Sequence, residues 1–342
     1  MKVLRLHNIG DLRLHAEPTP TPEPEESLLR VTSVGVCGSD LHWFSEGSTS
    51  GPGNAGGPGI EQPMILGHEF AAVIAEGEHK GQRVAVDPEI PCEDCEFCLQ
   101  GNPNLCENHF FAGQAGDEGA LREYLAWPSR YLVPLPDTLS NDDGAMLEPL
   151  GVAIHTVDLG HLKPGMTVGV YGCGPIGLLI LQVARISGAS HIHATDKFPH
   201  RLEAARELGA SEVFLASDEG DERAGILAAT AQRGVDVAFE AAGENPAVDT
   251  AIQTCKPGGA VVLCGIPGEE RTSFEAAPAR RKGLTIRMVR RMKHTYPRAI
   301  RLVESGLVDV RSMVTHKFPL EQAAEAFRLA EKREGLKIVI NP

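Results

Sequence analysis

Residues 167–196 read TVGVYGCGPIGLLILQVARISGASHIHATD, and this stretch decides the fold. Thr167–Tyr171 is a short β-like run, Gly172-Cys-Gly174-Pro-Ile176-Gly177 follows at once, and a helix is expected from Ile176 to Ser187. Strand, GxGxxG and helix in that order is the context in which the motif has a mechanism. The first glycine permits the tight turn, the second lets a pyrophosphate approach the backbone, and the third lets helix and strand pack closely. The phosphates of a dinucleotide then rest on the N-terminus of the helix. HIHATD reads as the next strand and ends on Asp196, 19 residues after Gly177. A carboxylate there accepts hydrogen bonds from the adenosine ribose and repels a 2′-phosphate, which favours NAD. Lys197 and Arg201 beside it keep NADP open, and Arg201 joins Gly172, Gly174, Ile176, Gly177 and Asp196 as expected cofactor contacts.

Downstream, a helical stretch at 200–208 and the runs VDVAFEAAG (235–243) and GGAVVLCGIPG (258–268) continue the alternation of helix and strand. That is the sequence form of a doubly wound parallel sheet, so the fold class is α/β with a Rossmann domain. Upstream, to about residue 150, short β-like runs at 27–36, 69–75 and 83–86 are broken by Gly and Pro, which reads as a mostly antiparallel β domain. KHTYPRAIRLVESG (293–306), THKFPL (315–320) and EQAAEAFRLAEKREG (321–335) read as amphipathic helices returning to the first domain. The expected domains are therefore 1–150, 151–288 and 289–342. SEGSTSGPGNAGGPG (45–59) is a long low-complexity loop, of a kind that is either a functional lid or a plain insertion.

The chain has 342 residues, more than the roughly 250–300 at which single cores stop growing, which agrees with several domains. Its 32 Lys and Arg against 46 Asp and Glu leave a net charge of −14, unfavourable for nucleic acid or anionic lipid. No apolar run reaches the roughly 18 residues of a membrane span, and the charged N-terminal stretch is no secretory signal. A cytoplasmic protein with a small-molecule substrate is expected.

Four of the eight cysteines crowd into one segment as Cys92, Cys95, Cys98 and Cys106. Four thiolates on a tight loop close a tetrahedral shell, so a structural zinc lobe is expected at about 88–110, with an Fe–S cluster as the competing reading. A second, dispersed set consists of Cys37 in VCGSDLH (36–42), His68 and Glu69 in LGHE (66–69), and Glu148 in MLEPL (146–150). One Cys, one His and carboxylates are a catalytic zinc set that leaves a position open.

Taken together, CGSDLH at Cys37, Gly67-His68-Glu69, the four-Cys lobe, Glu148-Pro149-Leu150, GxGPIG and Asp196 resemble the zinc-containing medium-chain dehydrogenase/reductase superfamily over nearly the whole chain. Glu148 stands where alcohol dehydrogenases have a Cys ligand. CGSDLH, Phe110-Phe111 and Met313–Leu320 are similar to the sorbitol (polyol) dehydrogenase branch. The resemblance implies a GroES-like catalytic domain beside the Rossmann domain and one structural and one catalytic zinc per chain. It implies a catalytic zinc on Cys37, His68 and either Glu69 or Glu148, and NAD-linked hydride transfer from a secondary alcohol of a polyol or sugar-like substrate to give a ketone. On this reading Ser39 takes the first proton and passes it through the nicotinamide ribose to His42. Trp43, Phe110 and Phe111 wall the pocket, and Glu148 and Arg291 hold substrate hydroxyls. A homo-oligomer, dimer or tetramer, is expected. Rival readings are an L-threonine 3-dehydrogenase, an NAD(P)-linked aldose dehydrogenase, a zinc-free quinone reductase and a catalytically silent binding protein. Two departures from the branch are the long 45–59 loop and Trp43 in place of a common Tyr.

Overall fold

The computed structural model describes residues 1–47, 60–76, 79–114, 117–217, 220–268 and 271–342, so 48–59 of the glycine-rich loop lie outside the described residues. The chain forms two compact units, Met1–Glu148 with Tyr296–Glu304 and Val310–Pro342, and Pro149–Thr295 with Ser305–Asp309.

The first unit opens with a hairpin of β1 (Lys2–Asn8) and β2 (Asp11–Ala16), followed by β3 (Glu26–Gly35), helix α1 (Gly38–Glu46), β4 (Glu69–Glu76) and β5 (Arg83–Val86). Next come the two-residue β6 (Glu89–Ile90), the short α2 (Glu96–Leu99), β7 (Phe110–Phe111), β8 (Tyr124–Pro128), β9 (Leu132–Pro134) and α3 (Asn141–Ala145). Val31, Val34, Phe70 and Ala72, from the antiparallel pair β3 and β4, are all buried in one core that also takes Trp43 and Phe44 from α1. At a general value of about 25 cal/mol per Å² of apolar surface removed from water, this cluster is the main support of the sheet.

Helix α4 (Leu147–Leu159) carries the chain into the second unit. There β10 (Thr167–Tyr171), α5 (Pro175–Ile186), β11 (His191–Asp196), α6 (Pro199–Glu207), β12 (Glu212–Leu215), α7 (Asp221–Ala229), β13 (Val235–Glu240), α8 (Asn245–Thr254), β14 (Cys255–Leu263), α9 (Ala276–Lys282) and β15 (Thr285–Met288) alternate. The strands pair in parallel in the order β12-β11-β10-β13-β14-β15. Strand β13 is buried along its whole length, as a central strand covered on both faces must be. This is the expected doubly wound sheet.

The return segment differs from the sequence reading. Helices α10 (Tyr296–Glu304) and α11 (Ala323–Glu331) form as expected, but THKFPL is not helical. It lies in β16 (Val314–Pro319), which pairs in parallel with β17 (Lys337–Asn341). Alternation of half-buried and exposed residues along β16 is a strand period, and the KIVI run of β17 supplies the partner that a six-residue segment lacks in isolation. Strands β16 and β17 extend the first sheet in the order β16-β17-β3-β4-β5-β9.

Candidate active site

Strand pairing assembles the dispersed cluster. The antiparallel register sets Gly35, the last residue of β3, opposite Glu69, the first of β4. Cys37, just beyond one strand, and His68, just before the other, are thereby brought together although 31 residues separate them. Ligand atoms of Cys37, His68 and Glu69 all lie within 4.8 Å of one another. Gly35 is required at its position, because a side chain there would run into the Glu69 carboxylate. Glu148 is 5% exposed and is not a member of this donor group.

Asp40, which the sequence reading passed over, braces the cluster. It is 1% exposed. Its Oδ2 accepts the Cys37 backbone N–H at 2.9 Å, and its Oδ1 accepts that of Gly67 at 3.3 Å and lies 3.5 Å from His68 Nδ1. One carboxylate thus holds both ligand-bearing segments and turns the imidazole. Burial works against a charged His68, yet Asp40 and Cys37 outweigh it and raise the pKa of His68 well above its ordinary value. The legible signal was the Asp three residues after Cys37, at the N3 position of a capping box that opens α1.

Lys337 was also missed. It opens β17, which runs antiparallel to β3, and its ammonium is buried against the Glu69 carboxylate and the Val36 carbonyl. Burial alone would lower its pKa, but Glu69, Cys37 and Glu148 raise it. The amine therefore stays charged, and its hydrogen bond holds the Glu69 carboxylate in place.

Other expected site residues fall in different places. Phe111 packs its ring 5.2 Å from that of His68, whereas Phe110, on the other face of the strand, packs edge-on against Trp127 at 5.5 Å. Phe111 is the aromatic beside the donor cluster. Trp43 is 4% exposed within the hydrophobic core rather than on an open wall, and its indole N–H has no hydrogen-bond partner among the described residues. Ser39 and His42 lie three residues apart on α1, both half-buried, and His42 Nδ1 is 3.2 Å from Glu46 Oε2. Arg291 belongs to the second unit, on the loop after β15, with a left-handed backbone at φ 50°.

The four cysteines of the lobe also converge, with all four sulfurs within 4.8 Å of one another and Cys106 Sγ 3.5 Å from Cys92 Sγ. The backbone N–H of Cys98 lowers the Cys95 thiol to about 7, while the hydrogen bond that the Cys92 thiol donates to the Asp94 carboxylate lifts Cys92 to about 12. Sulfurs at such separations, unpaired as disulfides, match the closed shell of a structural zinc. The three-donor set fits a zinc ion with room for a further ligand.

In the second unit the glycine loop has the shape a pyrophosphate needs. Gly172 has φ 98°, and a side chain at Gly177 would collide with the Gly172 carbonyl, so the loop closes only with glycine at both ends. Gly174 is the N-cap of α5, with Pro175 and Ile176 in its first turn. Asp196 accepts N–H bonds from Cys173 at 2.7 Å and Phe198 at 2.8 Å, which fixes the acid beside the loop. Arg201 is nearly buried, its guanidinium 5.1 Å over the Phe198 ring and 3.6 Å from where a Gly174 side chain would begin. Lys197 forms an ion pair with Glu244.

Comparison with known proteins agrees with this geometry. The family described as alcohol dehydrogenase GroES-like domain matches residues 23–137, and that described as zinc-binding dehydrogenase matches 175–305. Sorbitol dehydrogenase from Homo sapiens is 37% identical over 98% of this chain and 94% of its own length. The sorbitol dehydrogenase of Bacillus subtilis (strain 168) is 34% identical over 100% of this chain and 97% of its own. The crystal structure of 2R,3R-butanediol dehydrogenase from Bacillus subtilis superposes with a TM-score of 0.87 at 32% identity, covering 100% of this chain and 99% of that one. With the donor cluster, the four-thiol lobe and the dinucleotide loop each in place, the chain belongs to the zinc-containing medium-chain dehydrogenase/reductase superfamily, in its sorbitol dehydrogenase-like branch.

Proposed function

We propose that this enzyme oxidises a secondary hydroxyl of a polyol or sugar-like alcohol to a ketone, with NAD as the preferred acceptor. The observation that carries the reading is the convergence of Cys37, His68 and Glu69 within 4.8 Å, a donor set with an open position. When bound, zinc supplies Lewis acidity to the substrate hydroxyl and the dinucleotide takes up the hydride. Cys37, His68 and Glu69 hold the metal, Asp40 orients His68, and Lys337 holds the Glu69 carboxylate by a hydrogen bond. Ser39 Oγ takes the hydroxyl proton and His42 relays it outward. The Glu46 carboxylate engages Nδ1 of His42 and leaves Nε2 as the exchanging atom. Glu148 acts as a buried carboxylate near the cluster, and Arg291 as a contact for substrate hydroxyls. Cys92, Cys95, Cys98 and Cys106 hold the second, structural zinc. Asp196 supports NAD over NADP because its carboxylate is fixed beside the glycine loop, while Glu244 occupies Lys197.

Residues 1–150 form the catalytic domain and 151–288 the dinucleotide-binding domain, and 289–342 return to the first except for 289–295 and 305–309, which cluster with the second unit. The protein works in the cytoplasm, where a cluster of free thiols persists, and no helix among the described residues is long and apolar enough to cross a membrane. It assembles as a homo-oligomer. Strand β15 is an edge of the second sheet among the described residues, and its last residue, Met288, is 65% exposed.

Initial rates over polyols, aldonates, sugars and threonine, with NAD and NADP in parallel, test the substrate reading. A polyol with NAD is expected to give the highest kcat/KM; preference for threonine or an aldose refutes it. Zinc content tests the ligands. Glu69→Gln is expected to lose the catalytic ion and Glu148→Gln to keep it while turnover falls about tenfold or more. The reverse pattern exchanges their roles.

A further inference from the structure

The second unit contains a buried carboxylate that the reaction just described does not use. Glu240 ends β13 and is 1% exposed. Its Oε1 accepts the backbone N–H of Ala242 and of Gly243, each at 2.7 Å, and its backbone carbonyl accepts those of Cys264 at 2.8 Å and Gly265 at 3.1 Å. The N–H groups of Gly265 and Glu244 also act on its carboxylate, against a burial that raises its pKa. Oε2 lies 2.8 Å from where a side chain at Gly265 would begin. One residue therefore ties the turn after β13 to the turn after β14.

Those turns are packed backbone to backbone. A side chain at Gly243 would strike the Ile266 carbonyl, and one at Gly265 would strike the Gly243 nitrogen. On the other side, a Cβ at Gly172 would stand 2.7 Å from the Ala242 nitrogen, so the dinucleotide loop touches the same turn. The position within the sheet gives this junction its meaning. From β10 the chain winds one way to β11 and β12, then crosses to β13 and β14 on the far side, which makes the gap between β10 and β13 the topological switch point. Ligands of open α/β sheets bind outside the carboxyl ends of the strands at that point. With the pyrophosphate on α5 and the adenosine ribose at Asp196, on the β11 side, the nicotinamide half extends toward β13 and β14. Glu240 sits under the turns it meets.

We propose that Glu240 is the positioning residue for the nicotinamide half of the dinucleotide: by taking the N–H donors of one turn on its carboxylate and those of the other on its backbone carbonyl, it fixes the floor against which the nicotinamide riboside is held. The proposal rests on the dinucleotide reading above, and a ligand lacking only nicotinamide separates the two. ADP-ribose fills the Gly172–Gly177 loop and the Asp196 side but does not reach the Glu240 turns.

The test is titration of zinc-loaded enzyme with NADH and with ADP-ribose, by nicotinamide fluorescence and by calorimetry, alongside thermal melting. Glu240→Gln keeps the volume and an oxygen for the Ala242 and Gly243 N–H groups, but it removes the charge and puts an NH₂ in the place of Oε2 beside Gly265. Its Kd for NADH is expected to rise about tenfold or more, while that for ADP-ribose stays within about twofold. Unchanged NADH affinity, or equal losses for both ligands, overturns the proposal. In the second case Glu240 merely braces the sheet. Wild-type protein binding neither ligand would instead refute the dinucleotide reading. Should Glu240→Gln fail to fold, Glu240→Asp keeps the charge with a shorter reach and must show the same split at smaller amplitude. Parallel weakening of the two ligands in that variant refutes the proposal equally.

Discussion

Asp40 shows how one side chain converts three donors into a site. Its two oxygens reach Cys37 N–H and the His68 edge, so a change of charge there disturbs two ligands at once without touching the metal shell. A carboxylate behind a metal-bound imidazole fixes its tautomer and raises its basicity. Asp40→Asn preserves the volume and is expected to lower kcat/KM and zinc affinity by about 10–100-fold, the usual scale for such partners. Competition with a chromophoric chelator reads the affinity directly, and a variant with wild-type zinc affinity and rate would reduce Asp40 to a helix cap. Lys337 acts on the third donor in a different manner. It is a full charge held inside the first sheet, and burying it is tolerable because Glu69 is buried with it.

Within the sheet elements, Asp236 does at the amino ends of the strands what Glu240 does at their carboxyl ends. It accepts the Thr167 N–H at 2.9 Å from the start of β10, pairs with Arg233 at 2.7 Å, and meets Lys256 of β14 at 2.6 Å. Burial pushes its pKa up, but Arg233, Lys256 and the Thr167 N–H outweigh it and hold the carboxyl well below its usual value. A depressed folded-state pKa means that the stabilisation is complete above the unfolded value of about 4 and is lost as pH falls through the folded one. Asp236→Asn is therefore expected to cost about 1–3 kcal/mol between pH 5 and 8, with a penalty that narrows below about pH 4. Urea unfolding of both proteins across that range checks it, and a penalty independent of pH would show that the charge is immaterial.

For the molecule as a whole, the two metal centres differ in closure. The lobe offers four sulfurs to one ion, whereas the Cys37, His68 and Glu69 set leaves a position for water or substrate. Two zinc ions per chain are expected when fully loaded, and a chelator is expected to remove the second-named ion first. Turnover should vanish while the melting temperature stays near that of untreated protein, and fall in the melt should come only with loss of the second equivalent. Simultaneous loss of both ions, or a single zinc in protein prepared without chelator, contradicts this assignment.

How much of this was legible in the chain depended on the distance over which each interaction acts. The strand, GxGxxG, helix and Asp196 succession lies within 30 residues, and its turn, cap and periodicity are local, so the Rossmann unit could be read directly. The four-thiol lobe was legible for the same reason, since Cys92 to Cys106 need only one short loop to meet. Cys37, His68 and Glu69 were named from residue type, but the choice of Glu69 over Glu148 as a member of the donor group came from the β3 and β4 register, which sets Gly35 against Glu69. THKFPL looked helical because the strand that pairs with it, β17, begins beyond the next helix. Asp40 carries a local mark only of a helix start, at the capping-box position of α1, and Lys337 and Glu240 carry none, since a lone acid or amine in an apolar stretch reads as a cap or a misfit until its partners are known. The deciding partners, the Gly67 N–H for Asp40, Glu69 for Lys337 and the Cys264 and Gly265 N–H groups for Glu240, come from other strands, and only the folded sheets bring them within hydrogen-bonding range.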